Sequence, residues 1–83
     1  MVTSDQVKQL ISEALDVEHV DVELNGANVN LVVVSREFAN LRSIKKQQLV
    51  YGCLNALIGS GDLHAVTMKL FTPDEWEKAK HLV

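Results

Sequence analysis

The sequence predicts a small α+β domain in the order α-β-β-α-β-α, a three-stranded mixed sheet with helices packed against it. Three observations carry that prediction. Residues 19–24 and 29–34 read as strands on either side of Asn25-Gly26, the strongest short hairpin signal in the chain. Residues 63–71 alternate, with His64, Val66, Met68 and Leu70 on one face and Ala65, Thr67, Lys69 and Phe71 on the other. One long helical stretch separates the second strand from the third, and two neighbouring strands joined this way run parallel with right-handed connectivity.

Each element has its own signals. Thr3 or Ser4 caps the first helix, and Val7, Leu10, Ile11, Ala14 and Leu15 fall at i, i+3, i+4, i+7 and i+8 as one apolar stripe. Asp5, Lys8, Gln9, Ser12 and Glu13 take its wet side. In the first strand Val20, Val22 and Leu24 point inward. The second strand is apolar on both faces in its later half, which places it towards the sheet centre. Ser35 to Arg42 is a connector with a turn of helix. The long helix from Ser43 to Ile58 carries Ile44, Val50, Tyr51, Leu54, Leu57 and Ile58, and Gly59-Ser60-Gly61 stops it. Thr72-Pro73-Asp74-Glu75 opens the last helix: Thr72 caps, Pro73 needs no N–H partner at the first position, and Glu75 completes a capping box. Trp76 is the large apolar residue of that helix.

Eighty-three residues make a single domain spanning 1–83. A chain of this size, 47% apolar and 23% charged, buries a modest core but no deep enclosed pocket, which weighs against a self-contained enzyme. The net charge of −3 argues against a general nucleic-acid coat. Cys53 is the single cysteine, so no internal disulfide is available and a reducing compartment is expected. The N-terminus shows no secretory pattern and no apolar run reaches membrane-spanning length, so a cytoplasmic protein without a membrane partner is expected.

Candidate functional residues are few. His64 opens the third strand just after a flexible turn, where an imidazole is accessible to a partner or a metal. No Cys-x-x-Cys or His-x-x-x-His accompanies it, so a closed zinc site is not expected. Cys53 is in phase with Val50, Leu54 and Leu57 and reads as a small buried apolar residue. His19 and His81 read as structural, the latter near the end of the last helix where a cation suits the dipole. Arg36, Arg42, Lys45 and Lys46 gather half of the chain's eight Lys and Arg around the start of the long helix. A solvated charged face is the simple account of them, and an anion-binding surface, with Lys69 added, is the functional one. There is no Gly-rich phosphate loop, no Gly-x-Ser-x-Gly and no acid–base pair, so no catalytic residue is expected.

Three motifs in order give the chain a resemblance to a known family. Arg42-x-x-Lys-Lys-Gln-Gln-x-Val-Tyr-Gly52, Leu63-His-Ala-Val-x-Met-Lys69 and Thr72-Pro-x-Glu-Trp76 together resemble the BolA-like family, in its bacterial branch with Lys-Lys-Gln-Gln before Val-Tyr-Gly. The resemblance implies a fold like the class II KH arrangement, matching the derived order. It also implies a monothiol glutaredoxin partner, with which family members hold a bridging [2Fe–2S] cluster (with the partner's glutathione) or form an apo complex, in iron–sulfur trafficking or iron regulation. His64 stands where the family's cluster ligand stands. A monomer is expected when the chain is alone.

Two departures from the family pattern follow. Many members carry a second His or Cys in the loop between the first two strands; here the loop is Asn25-Gly-Ala-Asn28, and Asn28, a poor iron ligand, stands about at that position. Some members are described as DNA-binding regulators, yet the Gly-x-x-Gly loop with which KH domains grip a backbone is missing. DNA binding would then rest on Arg36, Arg42, Lys45, Lys46 and Lys69. These residues leave three readings open: a cluster-sharing adaptor, a DNA-binding regulator of the stress-response kind, and a plain interaction module.

Overall fold

A computed structural model describes residues 2–80, so His81 lies outside the described residues. The predicted order is present: α1 (Ser4–Ala14), β1 (Val17–Asn25), β2 (Asn28–Ser35), a 3-10 turn (Arg36–Phe38), α2 (Ser43–Gly59), β3 (Ala65–Phe71) and α3 (Pro73–Lys80). Thr3 is the cap of α1: its backbone N–H donates to the Gln6 side chain (2.8 Å) and its hydroxyl accepts from the Gln6 N–H (3.2 Å). Both are donors that a helix start otherwise leaves without partners.

The sheet order is β1-β2-β3, with β1 antiparallel to β2 and β2 parallel to β3. The doubly apolar half of β2 is explained by that central place. Val29, Leu31 and Val33 face one side and are all buried. There they join Val7, Ile11 and Leu15 from the α1 end, Phe38 from the 3-10 turn, Val50 and Leu54 from α2, and Leu63. Val34 faces the other side and is equally buried. Its register neighbours are His19 on β1 and Phe71 on β3, and Trp76 of α3 covers both. The Trp76 ring lies stacked on His19 at 4.9 Å between centroids and tilted on Phe71 at 5.5 Å. Helices therefore pack on both faces, with α1 and α2 on one and the short α3 over one end of the other.

Four details differ from the sequence expectation. The hairpin turns through Gly26-Ala27, with Asn25 pairing Asn28; Gly26 alone takes positive φ (+66°), the sign pattern of a two-residue loop with Gly first rather than of an Asn-Gly pair. Ala14 is exposed, because it ends α1 and Leu15 takes the burial beyond it. Ile44, Tyr51 and Ile58 are exposed and only Val50 and Leu54 of α2 are fully buried. The third strand starts at Ala65, so His64 is a bend residue not bound to the face that Val66 shares with the core. Ser35, the buried polar residue, is satisfied: its hydroxyl donates to the Asp16 carbonyl (2.8 Å) and accepts from the Glu37 N–H (3.1 Å).

The α3 cap is the predicted one. The Thr72 N–H donates to the Glu75 carboxylate (2.8 Å), and the Thr72 hydroxyl accepts from the Glu75 N–H (3.2 Å). The first of these bonds, helped by Lys46 nearby, holds the Glu75 carboxyl below the usual glutamate range. A depressed folded pKa gives stability that is present at neutral pH and lost as the pH falls through that value. Thr72→Ala should therefore cost about 1 kcal/mol in urea unfolding at neutral pH. Glu75→Ala should also be destabilised there, and its deficit against the wild type should close as unfolding is repeated at progressively lower pH.

Candidate functional site

Because β2 and β3 run parallel, both begin at the same end of the sheet, where Asn28 pairs with Ala65. The β1–β2 hairpin and the loop leaving α2 meet at that end, and His64 sits between them. Its backbone is fixed from both sides. The His64 N–H donates to the Ala27 carbonyl of the hairpin (2.8 Å), and the Leu63 N–H before it donates to the Leu57 carbonyl of α2 (3.2 Å). Leu63 anchors the segment in the core with 1% of its surface exposed. The preceding turn needs a glycine: Gly61 has φ +85°, and a Cβ there would stand 4.0 Å from the His64 Nε2. Within the turn the Ser60 hydroxyl donates to the Asp62 carboxylate (2.7 Å).

The side chain of His64 is, by contrast, exposed, and its ring makes no hydrogen bond among the described residues. An exposed imidazole on a fixed backbone, with neither nitrogen in a hydrogen bond among the described residues, can bind a metal without first breaking one. It can supply only one ligand. No group of three or more His, Cys, Asp or Glu able to hold a metal ion occurs among the described residues. The residue at the predicted second position, Asn28, is exposed at the start of β2 and pairs with the residue after His64. The donor set thus fits a single nitrogen offered to a cluster held mainly by another protein, and does not fit a cluster held by this chain alone.

The other described histidine and the cysteine behave as structural residues. His19 Nε2 lies 2.7 Å from Asp21 Oδ2 while its ring stacks on Trp76, so both its edge and its face are engaged. The Cys53 thiol donates to the Leu49 carbonyl (3.3 Å), is half-buried, and has its pKa raised chiefly by that burial. A thiol held protonated is a poor nucleophile and a poor ligand.

The five basic residues are not gathered into one surface. Arg36 pairs with Asp16, whose backbone N–H in turn donates to Glu37, closing a clasp where β1 begins and β2 ends. Lys46 is largely covered and reaches Glu75 of α3 at 3.6 Å. Lys69 projects from β3 beside Val32 on the sheet face opposite the main core. Arg42, the first residue before α2, and Lys45 on its first turn are exposed and have no ion-pair partner among the described residues. Sequence reasoning missed the Ala27 carbonyl that fixes His64, since a backbone bond across a parallel pairing leaves no side-chain signal. It also missed that Ile44, Leu49, Tyr51 and Ile58 of α2 are exposed, for which a signal existed: Gln47 to Gly59 contains no charged residue.

Comparison with known proteins agrees with this architecture. The acid stress protein IbaG of Escherichia coli is 32% identical over 79 residues, covering 95% of this chain and 94% of IbaG. The DNA-binding transcriptional regulator BolA of Haemophilus influenzae is 36% identical over 52 residues, covering 63% of this chain and 50% of that protein. The solved structure of a bolA protein homologue from Coxiella burnetii superposes with a TM-score of 0.80 at 33% identity, covering 93% of this chain and 99% of the other. The family model described as BolA-like protein matches residues 11–75, from the last turn of α1 to the capping box of α3, and the chain therefore belongs to the BolA-like family.

Proposed function

We propose that this chain is a non-enzymatic cytoplasmic adaptor that partners a monothiol glutaredoxin and lends His64 to a [2Fe–2S] cluster bridging the two proteins, in iron–sulfur trafficking or iron regulation. The observation that carries the reading is the exposed, unengaged imidazole of His64 on a backbone fixed by the hairpin and by α2. A nitrogen ligand in place of a thiolate raises the potential of such a cluster and changes its lability. Asn28 offers no second strong ligand, so the glutaredoxin and its glutathione supply the rest. The names of the relatives favour regulation and stress response over catalysis.

Visible circular dichroism of cluster-loaded glutaredoxin mixed with this protein tests the proposal. Wild type should change the spectrum and His64→Ala should leave it as that of glutaredoxin alone; identical spectra with both proteins would refute the role of His64. The second position, held here by Asn28, makes a further prediction. Asn28→Cys, placed beside the residue following His64, should slow the loss of the heterocomplex's visible signal to a chelator, and an unchanged rate would show that this position does not face the cluster.

A second reading, DNA binding, is favoured by the name of the Haemophilus relative. Here it would rest on Arg42 and Lys45, because Arg36 and Lys46 are engaged with carboxylates. Replacing Arg42 and Lys45 by Ala should then flatten the dependence of duplex affinity on salt, by about one unit of logarithmic slope for each phosphate left without its cation. Absence of measurable binding at low salt would remove this reading.

A further inference from the structure

The two edges of the sheet are guarded differently. β1 carries Glu18, His19, Asp21 and Glu23, and charges of this kind keep other strands from pairing with an edge. β3, the other edge, has Lys69 as its one charge among apolar residues and Thr67. Among the described residues β3 pairs only with β2, so the peptide groups of alternate β3 residues point away from the sheet with no backbone partner.

The helix above this edge adds an apolar roof. At about 100° per residue, Ile44, Tyr51 and Ile58 fall within about 40° of one another on α2, and all three are exposed. Cys53 and Leu57 lie on the other flank of the buried Val50 and Leu54, and Leu57 lines a groove with Gln6, Leu10 and Glu13 of α1. α1 packs on β1, and α2 on β3. The flank of Ile44, Tyr51 and Ile58 therefore faces away from α1 and overhangs the free edge of β3. There Val66, Met68 and Leu70 of the strand are only half-buried. Leu49, the remaining exposed apolar residue of α2, lies elsewhere on the helix and plays no part.

We infer that the free edge of β3, roofed by Ile44, Tyr51 and Ile58, is a strand-addition site for an extended segment of another protein that alternates apolar and acidic side chains. Three requirements select that occupant. A row of unpaired peptide groups is satisfied along its length by another extended backbone. Side chains of the added strand that turn towards α2 meet a flank without charge, whose polar residues are Gln47 and Asn55. Those that turn to the opposite face pass Lys69, which has no ion-pair partner among the described residues, and a carboxylate there gains a cross-strand pair. A second copy of this chain does not meet these requirements. Its β3 bears no carboxylate, and Val20, Val22 and Leu24 of its acidic β1 already pack against its own core. Neither His64 nor a cluster takes part in the site.

The test is a nuclear magnetic resonance titration of the intact chain with a synthetic peptide of β3's length that alternates valine and glutamate. The β3 amides should shift and gain protection from hydrogen exchange, while those of β1 stay unchanged. Two further peptides carry N-methyl groups on alternate residues, one in each phase. One should bind as the parent does and the other should not bind, because a single phase turns its N–H groups to β3. Lys69→Glu should bind the glutamate peptide several-fold more weakly than wild type does, and a valine–lysine peptide more tightly. Tyr51→Ser, a substitution at an exposed residue, should weaken the glutamate peptide's binding with an unchanged far-ultraviolet spectrum. Equal binding of the two methylated peptides would overturn strand addition, and wild type that takes the lysine peptide as well as the glutamate one would overturn the acidic assignment. A mass that rises above 9.2 kDa with concentration in the protein alone, with the β3 amides protected, would give the edge to a second copy instead. Unmoved β3 amides at about 1 mM peptide, the weak end of specific affinity, would overturn the site itself.

Discussion

The parallel pairing of β2 with β3 is the constraint from which the rest of the molecule follows. A parallel neighbour cannot be reached by a tight turn, so the chain must cross back over the sheet, and α2 is that crossover. The crossing brings the end of α2 to the same edge as the β1–β2 hairpin, where the His64 N–H meets the Ala27 carbonyl and the shared register begins. His64 is thus placed by topology more than by any side chain. Its neighbours are two backbone turns, each made with a glycine at positive φ, and such turns crowd a ring less than packed side chains would.

Much of this is legible in the sequence. The doubly apolar half of β2 marks the central strand because only a strand with neighbours on both sides and helices on both faces buries Val33 and Val34 together. Thr72-Pro-Asp-Glu75 marks the start of α3 because the cap is local and needs no tertiary partner. The resemblance points to His64, and its exposure at a strand mouth agrees with the reading of the turn before it. What sequence cannot give depends on distant partners. Arg36 and Lys46 look like members of one basic cluster until Asp16 and Glu75, far from them in the chain, are seen to engage them. His19 reads as structural in the sequence, but the reason, a ring bonded at its edge to a β1 carboxylate and stacked on Trp76 of α3, is visible only in the fold. Helical spacing identifies α2 but not how narrow its buried arc is, which is why Ile44, Tyr51 and Ile58 face solvent.

The difference between a resident metal site and a lent ligand is set by the number of donors and by what fixes them. A resident site holds several ligands in one geometry through bonds to their second atoms. At His64 the backbone is fixed, the ring is not, and Asn28 adds no strong donor. One imidazole binds a free ion weakly, yet it gains greatly when another protein presents iron with a coordination position to exchange, because that complex already bears the entropic cost of assembling the other ligands. The same arithmetic makes such a ligand easy to withdraw, a property suited to handing a cluster on and unsuited to storing it.

The two faces of α2 then divide the requirements of the chain. Val50 and Leu54 hold the crossover to the sheet, and that packing keeps the end of α2, with Leu63 and His64 beyond it, at the correct edge. Any partner that engages the outer face adds contacts to the side of the helix that does not support His64. Packing there can therefore stabilise the crossover without obstructing the imidazole, since Gly52 lies at the helix middle and His64 past its end.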